Sequence, residues 1–214
     1  IRKMVYLLNE AHCMQRVTLQ EPRLSPNFVG SWIIDPPSIC DDLISYFELN
    51  HEKQEKGRTA GGLDLDTKNS IDISMMPNEI NLPGNEAILN YFESLFSCYK
   101  DYAAQWPFLD TFAQNLEVGT FNLQRYQSGQ HFHKVHTERS SLSTLHRVFA
   151  WMTYLNDVDV KDGGSTYFSH YDLEVQPKKG LTLIWPAEWT HAHKGNLLQA
   201  NSKYIITGWM HFPR

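Results

Sequence analysis

The sequence predicts a mainly β domain with flanking helices, an α+β arrangement whose short strands form a sandwich or barrel. Three observations carry this. After residue 115 short strand-like runs alternate with Gly, Asn and Pro. Before it, two stretches show helical spacing. The 214 residues suit one domain with a sizeable core. The expected organisation is a single domain over 1–214: a helical and irregular N-terminal extension, 1–115, packs on a core of residues 116–214.

The first expected helix follows Pro36-Pro37-Ser38, with Ile39, Leu43, Ile44 and Phe47 at three- and four-residue steps. The second opens at Asn85-Glu86, and Ile88, Tyr91, Phe92, Leu95, Phe96 and Tyr99 form its buried stripe. Between them, residues 57–83 are rich in Gly, Asp, Asn and Pro and read as a long irregular segment. Strands are expected at 120–126, 132–136, 148–155, 166–168, 181–184 and 204–211. Asp162-Gly163-Gly164 and Lys178-Lys179-Gly180 are the clearest turns.

Composition narrows the function classes. A hydrophobic share of 42% and an aromatic share of 13% belong to a globular chain rather than a disordered one. The net charge of −5, with no basic stripe, makes a nucleic-acid partner unexpected. Cys13, Cys40 and Cys98 lack paired spacing and read as reduced thiols of an intracellular protein. No apolar run approaches the roughly 18–20 residues of a membrane helix. The apolar run at 4–8 is too short for a signal sequence, so a cytoplasmic protein is expected. Oligomeric state is not legible.

Eight of the ten histidines lie between His131 and His211, which directs attention to metal chemistry. In His136-Thr137-Glu138 the i, i+2 spacing points both outer side chains to one face of a strand. A third ligand, His191 or His193, would complete two histidines and a carboxylate, leaving positions open on iron. From the residues alone the triplet reads first as a polar strand face, and His131 and His133 offer competing pairs.

The surrounding motifs narrow this. Tyr126-x-x-Gly129-x-x-Phe132-x-x-x-His136-x-Glu138 is followed by Arg147 and Tyr154-Leu155-Asn156. Then come Gly163-Gly164-Ser165-Thr166-Tyr167-Phe168 and the turn Pro177-Lys178-Lys179-Gly180. His193-Lys194-Gly195 closes the series, with Lys203 ten positions after the histidine and Trp209 six beyond. In order and spacing, residues 120–212 resemble the prolyl 4-hydroxylase-like branch of the iron(II)/2-oxoglutarate oxygenases.

That resemblance implies a double-stranded β-helix (jelly-roll) barrel buttressed by the N-terminal helices. It implies Fe(II) on His136, Glu138 and His193, with 2-oxoglutarate and O2 as cosubstrates and ascorbate as a reductant. Lys203 would pair with the distal carboxylate of 2-oxoglutarate, since an ammonium opening an apolar strand is costly to bury unless it meets an anion. Tyr126 and Tyr154 would donate phenolic hydrogen bonds to the cosubstrate, and Thr166, Thr207 and Trp209 would line the pocket. The implied reaction hydroxylates an unactivated C–H, foremost a prolyl residue of a peptide or protein, with small-molecule substrates also known in the family. Arg147, on the opposite strand face from Tyr154, is expected to be structural or at the rim, and the loop after Glu138 reads either as a lid over the substrate or as a plain surface connection.

Two departures stand out. Glu138 occupies a position that is usually Asp. The run from Phe132 to His136 is one residue longer than is common, which predicts a bulge before His136. The rival readings are a cupin-like metal protein that does not use 2-oxoglutarate, and a jelly-roll binding protein with incidental histidines.

Overall fold

A computed structural model describes residues 27–59 and 61–213; the 4–8 segment and Cys13 lie outside them. In chain order the elements are β1 (Gly30–Ile33), α1 (Ser38–Leu49), β2 (Glu55–Lys56), β3 (Ile71–Met75) and α2 (Glu86–Gln105). There follow β4 (Glu117–Val118), β5 (Phe121–Gln127), β6 (Phe132–His136), β7 (Arg147–Tyr154) and β8 (Thr166–Phe168). The last are β9 (Leu173–Val175), β10 (Leu181–Pro186), β11 (His193–Gly195) and β12 (Ser202–His211).

Two antiparallel sheets face each other as the jelly-roll expectation requires, without closing into one barrel. The larger runs β1-β10-β7-β12-β5-β3-β2, with β4 also on β12, and the smaller runs β6-β11-β8-β9. All six predicted strands form. The expectation for 57–83 needs correction, because β3 lies within it and pairs with β5 along its whole length. Ile71, Ile73 and Met75 alternate with Asp72 and Ser74, a period-two signal outweighed by the surrounding turn residues. With β1 and β3, the N-terminal half contributes strands to the large sheet as well as packing on it.

Strand alternation gives the large sheet two different faces. On β7, Phe149 and Trp151 point to the helices, while Ala150, Met152 and Tyr154 point between the sheets. On β12, Ile206 and Met210 join the helix side and Ile205 the inner side. The helices cover the outer face: Trp151 packs edge-on against Phe92 at 5.7 Å, and Phe92 against Phe121 at 4.9 Å. Gly208 is required by this packing, since a Cβ there would lie 2.6 Å from Trp151 and 2.8 Å from Phe121. The expected stripe of α2 holds for Ile88, Tyr91, Phe92 and Leu95. Phe96 is a correction: it is 45% exposed, having rotated past the edge of the buried arc.

A candidate metal centre and its anion pocket

His136 ends β6 and His193 begins β11, and they are direct cross-strand partners. Between that pair and the next, Gly195 with Phe132, β6 runs four residues against two on β11. A bulge was predicted here from one added residue; two are left out of the ladder, and Phe132 lies flat on the His136 ring at 3.9 Å. Glu138 lies two residues past His136, and its Oε1 stands 3.6 Å from His136 Nε2 and 3.3 Å from His193 Nε2. The three ligand atoms lie within 4.8 Å of one another.

Their tautomers are set from behind. His136 Nδ1 donates to the Lys134 carbonyl at 2.9 Å and His193 Nδ1 to the His191 carbonyl at 2.8 Å. Both Nε2 lone pairs therefore face the centre. Burial would raise the Glu138 carboxyl, but when His136 and His193 carry a proton on Nε2 as well, their hydrogen bonds and charge hold it well below the usual carboxylate range. Two imidazole nitrogens and one carboxylate oxygen, beside an open cavity, are a donor set that fits Fe(II).

The second Glu138 oxygen is fixed separately. Trp209 Nε1 donates to Oε2 at 2.7 Å, and Arg147 lies 3.7 Å from the same oxygen. Arg147 also donates to the Glu138 carbonyl at 2.9 Å and stacks over Trp209 at 3.6 Å. The expectation that Arg147 points away is corrected by the local ladder. Met210 pairs with Phe149 and His211 with Arg147, so Val148 is an extra residue that reverses the strand's facing.

A cavity of about 660 Å³ opens beside these residues. His136, Glu138, His193, Lys203, Tyr126, Thr166, Thr207 and Trp209 all line it; Tyr154 does not. Lys203 is 4% exposed and donates to the Gly164 carbonyl at 2.7 Å. Gly164, at φ +72°, makes that approach possible. Among the described residues no carboxylate pairs with Lys203, and burial pushes its pKa down to about 8. Its Nζ lies over the Tyr126 ring at 4.6 Å.

The tyrosines depart from expectation in orientation. The Tyr154 hydroxyl is spent on Thr166 Oγ1 at 2.6 Å and on the Val175 carbonyl at 3.3 Å. The Tyr126 hydroxyl donates to Gln124 Oε1 at 2.8 Å. Thr207 donates to the Trp151 carbonyl at 2.8 Å. His131 and His133 contact each other, Nδ1 to Nδ1 at 2.7 Å, outside the cluster, and His191 is buried with Nε2 at 2.8 Å from the Asn27 carbonyl. In the loop after Glu138, Ser140 and Thr144 line the cavity and Arg139 pairs with Glu188.

The sequence reading did not find Lys68, Asp72 and Gln124, which form a buried polar group at the cavity wall. The alternation around Asp72 was the available signal; Lys68, in irregular chain, had none.

Residues 121–211 match the model of the 2OG-Fe(II) oxygenase superfamily. No curated protein matches the chain by sequence. Among solved structures, a Pseudomonas putida prolyl-4-hydroxylase is similar at TM-score 0.66 and 16% identity, over 87% of this chain and 93% of that one. A Trichoplax adhaerens prolyl hydroxylase, in complex with a hypoxia inducible factor oxygen degradation domain peptide fragment, gives 0.63 and 18%, over 85% and 83%. A viral collagen prolyl hydroxylase from Paramecium Bursaria Chlorella virus-1, as its 2OG complex, gives 0.57 and 17%, over 87% and 97%. At these identities the structural likeness speaks for the fold. The superfamily implies Fe(II), 2-oxoglutarate and O2. Residues 121–211, which match the 2OG-Fe(II) oxygenase superfamily, carry the His-Glu-His cluster, and the fold is prolyl hydroxylase-like.

Proposed function

We propose that this dioxygenase hydroxylates an unactivated C–H of a peptide or protein, with a prolyl residue the best-supported substrate. The observation that carries the reading is Lys203: a buried ammonium with no carboxylate partner among the described residues, lining the same cavity as the His-Glu-His cluster. An ammonium so buried is costly without an anion, and 2-oxoglutarate offers one at the end remote from its metal-binding keto acid.

In this reading His136, Glu138 and His193 hold the metal, and Trp209 and Arg147 keep Glu138 Oε2 occupied so that Oε1 faces the histidines. Lys203 pairs with the distal carboxylate and Thr166 donates to it. Bound iron, with 2-oxoglutarate and O2, supplies an oxidative decarboxylation to succinate and CO2 coupled to C–H hydroxylation. Tyr126, Thr207 and Ile205 wall the pocket. Fold similarity to prolyl hydroxylases, one of them in complex with a peptide, supports the prolyl and peptide choice. The buried free thiols Cys40 and Cys98, both pushed up to about 11 by burial, support an intracellular location. The strands donated by residues 30–75 support a single domain.

The test is succinate formation by iron-loaded protein on admission of O2, with and without prolyl peptides. Wild type should turn over, faster with a good peptide, and His136→Ala and Lys203→Ala should not. Iron-loaded protein that neither binds nor consumes 2-oxoglutarate would return the chain to the cupin-like reading.

A further inference from the structure

The cavity wall carries an ionic group that the proposed reaction does not use. Lys68 and Asp72 are 3% and 5% exposed and meet at 2.5 Å. Ser70 Oγ donates to Asp72 Oδ1 at 2.7 Å, and Gln124 Nε2 lies 3.3 Å from Oδ2. Gly57 closes over this group: a Cβ there would stand 2.1 Å from Ser70 Oγ and 3.0 Å from Asp72 Oδ1. A buried ion pair is seldom more stabilising than apolar residues of the same volume, so its presence calls for another account.

The hydrogen-bond chain supplies one. Asp72 and Gln124 are cross-strand partners, as are Tyr126 and Lys203. Paired with Lys68, Asp72 is an acceptor, so the Gln124 amide must turn its NH2 to Asp72 and its Oε1 away. That oxygen accepts from Tyr126 at 2.8 Å. The phenol is thereby held as a donor to Gln124, with its ring face on the Lys203 ammonium at 4.6 Å. Tyr126 thus serves the anion pocket through its ring, while its proton is committed elsewhere.

We propose that the Lys68–Asp72 pair, acting through Gln124, is a positioning device that holds Tyr126 against Lys203 and so sets the affinity for 2-oxoglutarate. This rests on the reading of Lys203 given above. Lys68, Asp72 and Gln124 are positioning residues. None belongs to the motif series around the metal ligands, and the pair comes from the segment before and within β3.

The decisive variant is Gln124→Met, which cuts the relay and leaves the ion pair intact. Binding of 2-oxoglutarate to Zn(II)-loaded protein, followed by calorimetry, should weaken about five- to tenfold, the worth of one buried hydrogen bond. Zn(II) affinity should not change, and in the iron enzyme KM for 2-oxoglutarate should rise with kcat unaltered. In a Tyr126→Phe background Gln124→Met should add nothing, because both act on one phenol. Should Gln124→Met not fold, Gln124→Asn, one methylene too short to span both partners, carries the same expectation. An unchanged affinity, or an undiminished penalty in the Tyr126→Phe background, overturns the relay alone. Wild-type protein that fails to bind 2-oxoglutarate removes the pocket, and the relay with it.

Discussion

Lys68 and Lys203 line one cavity at 3% and 4% exposure, yet their charges are met in opposite ways. Lys68 lies against Asp72 at 2.5 Å, inside a group completed by Ser70 and Gln124. Lys203 has a single backbone carbonyl and the face of Tyr126. The first is neutralised within the chain; the second has no carboxylate partner among the described residues. Burial by itself therefore does not distinguish the two lysines, and the counter-charge does.

The comparison breaks most directly through replacement of each lysine by an apolar residue of similar length. Lys68→Met strands Asp72 and should destabilise the protein by about 3–5 kcal/mol, read by urea unfolding. Lys203→Met should act in the opposite direction on the ligand-free protein. With a folded pKa of about 8 against an ordinary 10.5, removal of the ammonium should add up to about 3 kcal/mol near neutral pH. The same change should weaken 2-oxoglutarate binding about a hundredfold or more. A Lys203→Met protein no more stable than wild type would mean that the ammonium is solvated or paired in solution.

The wild-type pH dependence sharpens the contrast. Below pH 8 Lys203 is protonated in folded and unfolded chains alike, and the folded state carries the full burial cost. Between pH 8 and 10.5 the unfolded chain binds more protons, so this lysine makes stability rise with pH. Other groups titrate in that window, so the measurement is the difference between wild type and Lys203→Met. Affinity for 2-oxoglutarate should fall over the same range as the ammonium deprotonates. The smallest effect belongs to the metal end. Trp209→Phe frees Glu138 Oε2 and should weaken metal affinity about tenfold, measured by competition with a chelating dye.

Much of this was legible because local pattern and burial agreed. The six strands after residue 115 and both long helices form where spacing predicts. The ordered motifs single out His136 and His193 from ten histidines and add Glu138, and the structure brings those three together. A bulge before His136 was readable from the one added residue, although the ladder leaves out two. Where the reading failed, a non-local event had changed a side chain's surroundings. Parity sends Arg147 outward, but the extra residue Val148, visible only in the pairing with β12, turns it to Glu138. Tyr154 has the right strand face for the pocket and still stands behind Thr166.

Sequence by itself determined which residue types recur at strand and helix periods, and so the elements and the two faces of the large sheet, and its ordered motifs gave the candidate metal ligands. Tertiary structure alone decided which polar groups became partners. Lys68 and Asp72, four positions apart, and Gln124, 52 beyond Asp72, meet only because β3 and β5 pair. Periodicity depends on one chain's own geometry and can be read along it. A hydrogen bond between strands depends on register, which the packing of the whole domain selects.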